Sequence, residues 1–280
     1  MKKKLKNFIP KTIKRRLRSG ILLSRDIKEF LLREPLIPPR KLRMMVGPFP
    51  DKYSYKMTQE EFFKYFRDLC CVRPNERILD IGCGCGQMAA PLTKYLTPGG
   101  SYEGFDINNQ LIDWSRRNIS SKYPNFHFEL ADLFSKRYNP KGTHRSSEYQ
   151  FPYEKDYFDF AFAKSVFAHM FPRDVENYFS NVSHVLKRGA RCLFTFFLSN
   201  AESSRLIDAR VSTLDFKYDF GRYRTVDAIS PKAAVCFDEP LVLSFYEKYK
   251  LRIEQPILYG AWCGRLNFMS YQDMVIAYKE

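Results

Sequence analysis

The stretch RILDIGCGCGQMAAPL, residues 77–92, decides how this chain folds. A short apolar run containing Asp80 leads into three alternating glycines, Gly82, Gly84 and Gly86, and then into an apolar, helix-like segment. A strand, a glycine loop and a helix in this order place backbone N–H groups and a helix amino terminus beside a ligand. The dinucleotide-binding pattern G-x-G-x-x-G requires a glycine at position 87, where this chain has glutamine. The loop therefore predicts a different ligand.

Cys83 and Cys85 stand between these glycines and raise the alternative of a metal or redox site. A structural zinc site needs four ligands, and the sequence has no second cluster of cysteine and histidine at a usable spacing. Small side chains suffice between the glycines, so we expect no metal ion here. The seven cysteines are an odd number without regular spacing, which predicts reduced thiols in a cytoplasmic protein.

Helical and strand-like patterns alternate along the chain from about residue 55. Helices are predicted around residues 62–69 and at 88–96, 110–122, 175–186 and 239–250, and strands at 77–82, 101–108, 126–132, 157–167 and 190–198. This order predicts an α/β fold, a Rossmann-like doubly wound and mostly parallel sheet. Two adjacent strands at 252–262 and 273–279 predict an antiparallel terminal pair.

Two regions depart from the alternating pattern. Residues 1–43 form a basic amphipathic extension with a proline-rich linker, which leaves residues 44–280 as the main domain. Residues 200–240 lack a clear period, and we interpret them as an insertion over the carboxyl edge of the sheet, where they would serve as a substrate lid.

Acidic residues follow two further strands, Asp106 in GFDIN and Asp132 in LADL. Together with Asp80 and the glycines, they make residues 60–198 resemble the class I S-adenosylmethionine-dependent methyltransferases, whose first motif is an acid, an apolar residue and Gly-x-Gly-x-Gly. Aspartate also caps helices, and that alternative stays open for Asp106 and Asp132.

The resemblance implies S-adenosylmethionine as the cofactor and assigns roles to residues around the loop. The loop backbone would wrap the methionine portion, Asp106 would bond both ribose hydroxyls, and Asp132 would bond the adenine amino group. Lys164 would shape the pocket. The implied cofactor-binding residues are Asp80, Gly82, Cys83, Gly84, Gly86, Asp106, Ile107, Ala131, Asp132, Leu133 and Lys164.

The segment AFAKSVFAHMFP, residues 161–172, is where this family places groups that face both cofactor and acceptor. His169 is the expected general base, because the pKa of imidazole is closest to the operating pH. The alternative is a packed or surface histidine on the following helix. Tyr259, Trp262 and Arg265 would stack on a sugar ring and clamp an anionic group, or simply pack the terminal strands.

The net charge of +15 belongs mostly to the amino-terminal extension. Residues 1–43 hold 15 Lys/Arg and 3 Asp/Glu, a net of +12, which leaves +3 for the other 237 residues. Neutralised phosphates supply most non-specific nucleic-acid affinity, so a nearly neutral body argues against a nucleic-acid partner. The extension predicts a peripheral contact with an anionic membrane surface. The alternatives are a solvated arm, a helix packed on the domain, or a segment that binds RNA or a protein partner.

Through the segment FPYEKDYFDFAFAKSVFAHM, residues 151–170, and the basic extension, the chain resembles bacterial small-molecule methyltransferases that accompany cell-surface glycan or glycolipid assembly. This resemblance implies O-methylation of a saccharide or lipid-linked small molecule at the cytoplasmic membrane face. An RNA methyltransferase is the first alternative, drawn from the total charge. A non-catalytic cofactor-binding protein of the same fold is the second.

Overall fold

The structure is a computed structural model that describes residues 34–136 and 138–280. The chain divides into two compact units, one ending at Thr58 and the other comprising Gln59–Glu280. Most of the basic extension lies outside the described residues, and so does its predicted membrane contact. In the first unit the Arg43 guanidinium donates to the Pro38 carbonyl (2.8 Å), and Phe49 and Tyr55 pack edge to face with ring centroids 5.5 Å apart.

The described helices are α1 (Arg40–Val46), α2 (Lys52–Asp68), α3 (Ala89–Leu92), α4 (Asn109–Ser115), α5 (Pro172–Val185), α6 (Ala201–Asp208) and α7 (Glu239–Lys248). The strands are β1 (Arg77–Ile81), β2 (Ser101–Asp106), β3 (Phe126–Leu130), β4 (Phe158–Ala163), β5 (Leu186–Phe196), β6 (Leu198–Ser199), β7 (Tyr218–Asp219), β8 (Tyr223–Thr225), β9 (Val235–Asp238), β10 (Leu251–Ile253) and β11 (Asp273–Lys279). Helix α2 crosses the boundary between the two units.

Seven strands form the main sheet of the second unit, in the order β10-β11-β5-β4-β1-β2-β3. Strands β3, β2, β1, β4 and β5 are mutually parallel. Strand β11 runs antiparallel to both β5 and β10. The predicted Rossmann-like sheet with an antiparallel terminal pair is therefore confirmed.

Central position in the sheet explains the composition of β1. It pairs with β2 on one side and β4 on the other, and four of its five residues are buried. Helices cover both faces of a parallel sheet, so a central strand reads as a continuous apolar run rather than an alternating one. Asp80 is the exception in this strand, and it lies where β1 approaches the glycine loop.

The insertion between β5 and α7 forms a second sheet of four short strands, in the order β6-β9-β8-β7. Strand β6 begins two residues after β5 ends, so this sheet continues from the carboxyl end of β5. The insertion over that edge and its role as a lid both remain predictions.

The strand predicted at residues 252–262 is wrong in length, because β10 ends at Ile253. Glu254 N–H still donates to the Ile276 carbonyl (2.8 Å). Pro256 then has no N–H to donate and cannot continue the ladder. The helix predicted at 88–96 is also shorter, comprising only Ala89–Leu92.

Across the described ranges, no helix combines the length and apolar character needed to cross a bilayer.

Candidate functional site

The glycine loop closes the carboxyl end of β1 against β2. The N–H groups of Gly82 and Cys83 both donate to the Phe105 carbonyl, at 2.9 and 3.0 Å. Gly82 has a φ of +75°, and a Cβ there would lie 2.5 Å from Cγ2 of Val166. Only glycine combines this left-handed backbone with such close packing. The loop therefore lies against both β2 and the segment that follows β4.

Asp106 is joined to the glycine loop by a direct hydrogen bond. Its Oδ2 accepts from Gly84 N–H (2.9 Å), and its Oδ1 accepts from Asn108 N–H (2.8 Å). A carboxylate offers about four acceptor positions, so each oxygen retains one for a ligand hydroxyl. Burial raises the pKa of Asp106, while the backbone hydrogen bonds oppose the rise. Asn108, and not Asp106, caps the following helix, because its side chain accepts from Gln110 N–H and Leu111 N–H.

Asp80 is buried in the sheet beneath the loop, and only 2% of it is exposed. Its Oδ2 accepts a hydrogen bond from the Tyr102 hydroxyl. Burial raises the pKa of Asp80 to about 7, and the charge of Asp106 adds to the rise. The Tyr102 hydrogen bond and the charge of Lys164 act in the opposite direction. Asp80 is thus poised to be neutral or ionised near neutral pH.

Lys164 brings the end of β4 to the same loop. Its Nζ donates to Gln87 Oε1 (3.3 Å) and lies 5.4 Å from the centroid of the Phe62 ring. Burial lowers the pKa of Lys164 to about 8, and the negative charges of Glu61 and Asp80 oppose the lowering. The structure therefore brings Lys164, the glycine loop and Asp80 into one electrostatic cluster.

The two loop cysteines are buried free thiols, as are most of the seven. A Cβ on Gly104 of β2 would lie 2.8 Å from the Cβ of Cys83, so the cysteine side chain packs directly over that glycine. Burial raises the pKa of the Cys83 thiol well above its ordinary value. Among the described residues there is no group of three or more His, Cys, Asp or Glu side chains suited to a metal ion.

Asp132 follows β3, and its neighbours tie that strand end to β2. Ala131 N–H donates to the backbone carbonyl of Asp106 (3.0 Å), and Leu133 N–H donates to the Ala131 carbonyl (2.8 Å). The Asp132 carboxylate is exposed and accepts from the hydroxyl (2.5 Å) and N–H (3.3 Å) of Thr143. An adenine amino group would share the carboxylate with Thr143. The role of Asp132 as an adenine contact remains a prediction.

Ile107, the remaining predicted cofactor residue, is partly buried and packs against the main hydrophobic core. It follows Asp106 directly at the end of β2. The structure therefore places it at the same strand end as the acid.

His169 ends a single 3-10 turn, Phe167–His169, in the segment after β4. Its Nδ1 lies 3.0 Å from the Lys232 carbonyl, which can only accept a hydrogen bond. In the neutral imidazole, Nδ1 therefore carries the proton and Nε2 is the acceptor nitrogen. The ring also packs edge to face with Tyr138, with centroids 6.1 Å apart. His169 thus links the segment after β4 to the insertion.

The sequence does not reveal a set of hydrogen bonds that holds Ser165 in place. We call these bonds, which join Ser165, Thr195 and Gln272, the Ser165 lock. Ser165 has a φ of +59°, and its N–H donates to Thr195 Oγ1 (2.8 Å). Its hydroxyl donates to Gln272 Oε1 (2.6 Å), which also accepts from the Thr195 hydroxyl (3.0 Å). Strand β5 and the residue that precedes β11 therefore fix the segment that carries Lys164.

Asp273 forms a second buried polar centre at the start of β11. Its Oδ2 accepts from Trp262 Nε1–H (2.8 Å) and Leu198 N–H (2.8 Å), and its Oδ1 accepts from Gly260 N–H (2.7 Å) and Arg265 Nη1–H (3.1 Å). Burial raises the pKa of Asp273 to about 6, against the effect of these donors. The sequence predicts that Arg265 clamps an anion. In the structure its guanidinium is already paired with two protein carboxylates.

The insertion contains a groove of about 750 Å³. Its lining includes apolar side chains and charges of both signs, and none of the predicted cofactor residues belongs to it. Among the lining residues are Ile207, Leu214, Phe216, Arg210, Lys217 and Arg224. The sequence indicated this region only through its tyrosine and arginine content.

Residues 78–189 match the model of a methyltransferase domain family. A probable cobalt-precorrin-6B C(15)-methyltransferase (decarboxylating) from Thermoplasma acidophilum is 29% identical over 65 residues, which is 22% of this chain and 32% of that protein. A protein-L-isoaspartate O-methyltransferase from Aeropyrum pernix is 28% identical over 107 residues, 36% of this chain and 41% of that protein. The chain thus covers less than half the length of these two curated relatives.

Solved structures share the fold at low sequence identity. A protein from Pyrococcus horikoshii has a TM-score of 0.57 and 15% identity, covering 82% of this chain and 93% of its own. A SAM-dependent methyltransferase from Methanosarcina mazei has a TM-score of 0.51 and 19% identity, covering 74% and 94%. Magnesium protoporphyrin IX methyltransferase from Synechocystis, solved with bound SAH, has a TM-score of 0.51 and 13% identity, covering 81% and 84%.

These matches and the strand order agree with the family predicted from the glycine motif. Residues 78–189 are therefore similar to a methyltransferase domain, and the sheet around them has the same fold as these solved structures.

Proposed function

We propose that this protein transfers the methyl group of S-adenosylmethionine to a hydroxyl oxygen of a saccharide or lipid-linked small molecule. The hydrogen bond from Gly84 N–H to Asp106 Oδ2 (2.9 Å) carries the proposal, because it joins the predicted ribose acid directly to the glycine loop. The curated relatives include enzymes for small molecules and for proteins, so the acceptor class rests on this chain's own residues.

The residues around the loop fit the proposed cofactor. The alternating glycines adopt left-handed backbone conformations that form the tight loop, and Asp106 retains one acceptor position on each oxygen for the two ribose hydroxyls. Asp80 lies in β1 just before the loop, and Lys164 adds a cation beside Gln87. When bound, the cofactor supplies a methyl group already activated by its sulfonium.

The protein's remaining task is to position the acceptor and remove its proton. An alcohol oxygen becomes a better nucleophile as its proton departs. We assign His169 Nε2 to receive that proton. The hydrogen bond from Nδ1 to the Lys232 carbonyl (3.0 Å) fixes the tautomer and holds the ring. The Ser165 lock holds the segment that carries both Lys164 and His169, which supports catalysis by orientation.

The acceptor assignment draws on the groove in the insertion. Its volume of about 750 Å³ falls within the usual range for ligand sites, roughly 300–1,000 Å³. Carboxylates and guanidinium groups can bond sugar hydroxyls, and the partly exposed Ile207 and Leu214 supply apolar lining. We place the protein at the cytoplasmic membrane face through its basic extension, as the sequence predicts.

Calorimetric titration with S-adenosylmethionine tests the cofactor site. Wild-type protein should bind, and Asp106→Ala should bind at least about tenfold more weakly, since it loses two hydrogen bonds to a charged acceptor. Asp68→Ala removes an exposed carboxylate that pairs with Arg67 and should leave binding unchanged. Absence of binding by the wild type would support the non-catalytic alternative and refute the proposal.

Incubation with labelled cofactor and separate lipid, soluble-sugar, protein and RNA fractions tests the acceptor. Label in the sugar or lipid fraction is expected, and label confined to RNA or protein would overturn the acceptor class. His169→Gln should lower turnover about 10²–10⁴-fold, in keeping with the loss of a general base. Its cofactor affinity should stay at the wild-type value, and the pH dependence of the residual rate should lose the histidine limb.

A further inference from the structure

Four consecutive residues, 266–269, are all exposed between Arg265 and Ser270. Three of them are large and apolar, with exposed fractions of 93% for Leu266, 55% for Phe268 and 46% for Met269, and Tyr271 follows at 47%. We define Leu266, Phe268, Met269 and Tyr271 as the apolar tip. Contiguous exposed apolar side chains on a folded surface mark interaction sites.

The tip is held outward by a rigid base. Trp262 N–H donates to the Tyr271 carbonyl (3.0 Å), which closes the loop. Trp262 Nε1–H and Arg265 Nη1–H both donate to the buried Asp273 carboxylate, and Arg265 itself is 7% exposed. Because both sides of the loop are anchored in the protein interior, exposure of the tip does not reflect a missing anchor.

The tip lies at the edge of the sheet that carries the candidate active site. Asp273 pairs with Phe196 at the carboxyl end of β5. Gln272, next to the tip, accepts the hydrogen bond from the Ser165 hydroxyl (2.6 Å), four residues before His169. A surface that received the tip would therefore face the segment where the acceptor is expected.

We propose that the apolar tip inserts into the interfacial region of an anionic lipid bilayer, from which the protein takes a membrane-embedded acceptor. Insertion of the tip does not depend on methyl transfer. Only the statement that the protein takes its acceptor from the membrane rests on the proposed function. A projecting loop of leucine, phenylalanine and methionine with an adjacent tyrosine suits a deformable hydrocarbon boundary, where tyrosine is enriched.

The charge of the chain also favours an anionic lipid surface over a protein partner. Residues 1–43 carry a net charge of +12, which complements an anionic leaflet, and basic residues strengthen binding by amphipathic surfaces that bury apolar side chains.

Co-sedimentation of the full chain with vesicles of phosphatidylcholine and phosphatidylglycerol tests the inference. High salt screens the attraction of the extension and exposes the apolar contribution. The double variant Leu266→Asn/Phe268→Asn should then partition at least about tenfold more weakly than wild type. Ile229→Asn alters a residue that is 88% exposed in another loop and should partition like wild type. Equal partitioning of the double variant and wild type would overturn the proposal.

A second variant reports whether the tip enters the lipid. Phe268→Trp should gain a blue-shifted emission component with vesicles, quenched by brominated lipid, and an unshifted spectrum would overturn insertion. Concentration-dependent dimers that disappear in the double variant, without vesicle binding by wild type, would assign the tip to self-association. Asp106→Ala should retain vesicle binding, which separates failure of this inference from failure of the cofactor site.

Discussion

Replacement of Gly82 by alanine should reveal how strongly the glycine loop depends on close packing. Gly82 has a φ of +75°, and a Cβ at this position would lie 2.5 Å from Cγ2 of Val166. A non-glycine residue in the left-handed region costs about 1–2 kcal/mol. Carbon atoms pack best at about 3.5–4.0 Å, and overpacking of a tight interior costs about 1–3 kcal/mol. Gly82→Ala should therefore lower the free energy of unfolding by about 2–5 kcal/mol.

Two further variants separate the backbone cost from the packing cost. Gly189 has a φ of +76° with no atom within 4 Å of its added Cβ, so Gly189→Ala should cost only the backbone strain, about 1–2 kcal/mol. Val166→Ala removes the methyl group that meets the new side chain. The double variant Gly82→Ala/Val166→Ala should therefore be more stable than the sum of the two single changes predicts, by about 1–3 kcal/mol.

Urea unfolding of the four variants and the wild type, followed by tryptophan fluorescence, measures these free energies. Calorimetry with S-adenosylmethionine on the same proteins reports whether the displaced loop still binds. The predicted packing cost at position 82 would be refuted if Gly82→Ala were no more destabilising than Gly189→Ala. A coupling between positions 82 and 166 below about 0.5 kcal/mol, the usual limit of additivity, would also refute it.

Three other predictions concern the buried polar groups. Because the folded pKa of Asp80 is raised from 3.8 to about 7, the folded state retains a proton that the unfolded state loses, and stability should fall as pH rises through this window. Asp80 should contribute at most about 1.4 kcal/mol per pH unit to the slope of the free energy of unfolding against pH. Urea unfolding of Asp80→Asn should lack this contribution, and equal slopes for the variant and the wild type would contradict the raised pKa. Arg265→Met should destabilise the protein by about 3–5 kcal/mol, since Asp273 would stay buried without its cation, and a thermal unfolding shift equivalent to under about 1 kcal/mol would argue against this. Gln272→Leu should lower the free energy of unfolding by about 1–3 kcal/mol, because the Ser165 hydroxyl loses its acceptor. Calorimetry should also show several-fold weaker cofactor binding by this variant. Gln272→Glu keeps an acceptor oxygen, so equal cofactor affinities of the two variants would contradict a role for this hydrogen bond in binding.

Local sequence patterns were sufficient for the strand and helix order of the main sheet. The apolar run of β1, the glycine loop and the amphipathic α5 each express a short-range rule about burial or backbone freedom. Boundaries were less accurate where a neighbour decides them. The strand predicted at 252–262 ended at Ile253 because Pro256 cannot donate to the ladder with β11.

The main site features invisible to local patterns join residues far apart in the chain. Gln272 and Ser165 are 107 residues apart and share a hydrogen bond, while Tyr102 supports Asp80 from the neighbouring strand. Glutamine, serine and tyrosine are common polar residues, so nothing in their local sequence marks them as partners. Exposure of Leu266 was equally invisible, because a leucine is ordinarily assigned to the core.

Residue order along short segments was enough to predict the glycine loop, the alternating sheet and the acids that end its strands, because each depends on neighbouring residue types. It could not predict that Gly84 bonds to Asp106, that Thr143 donates to Asp132 or that Arg265 pairs with Asp273. Those contacts form when the sheet closes, since burial and pairing of a polar group depend on which distant segments surround it.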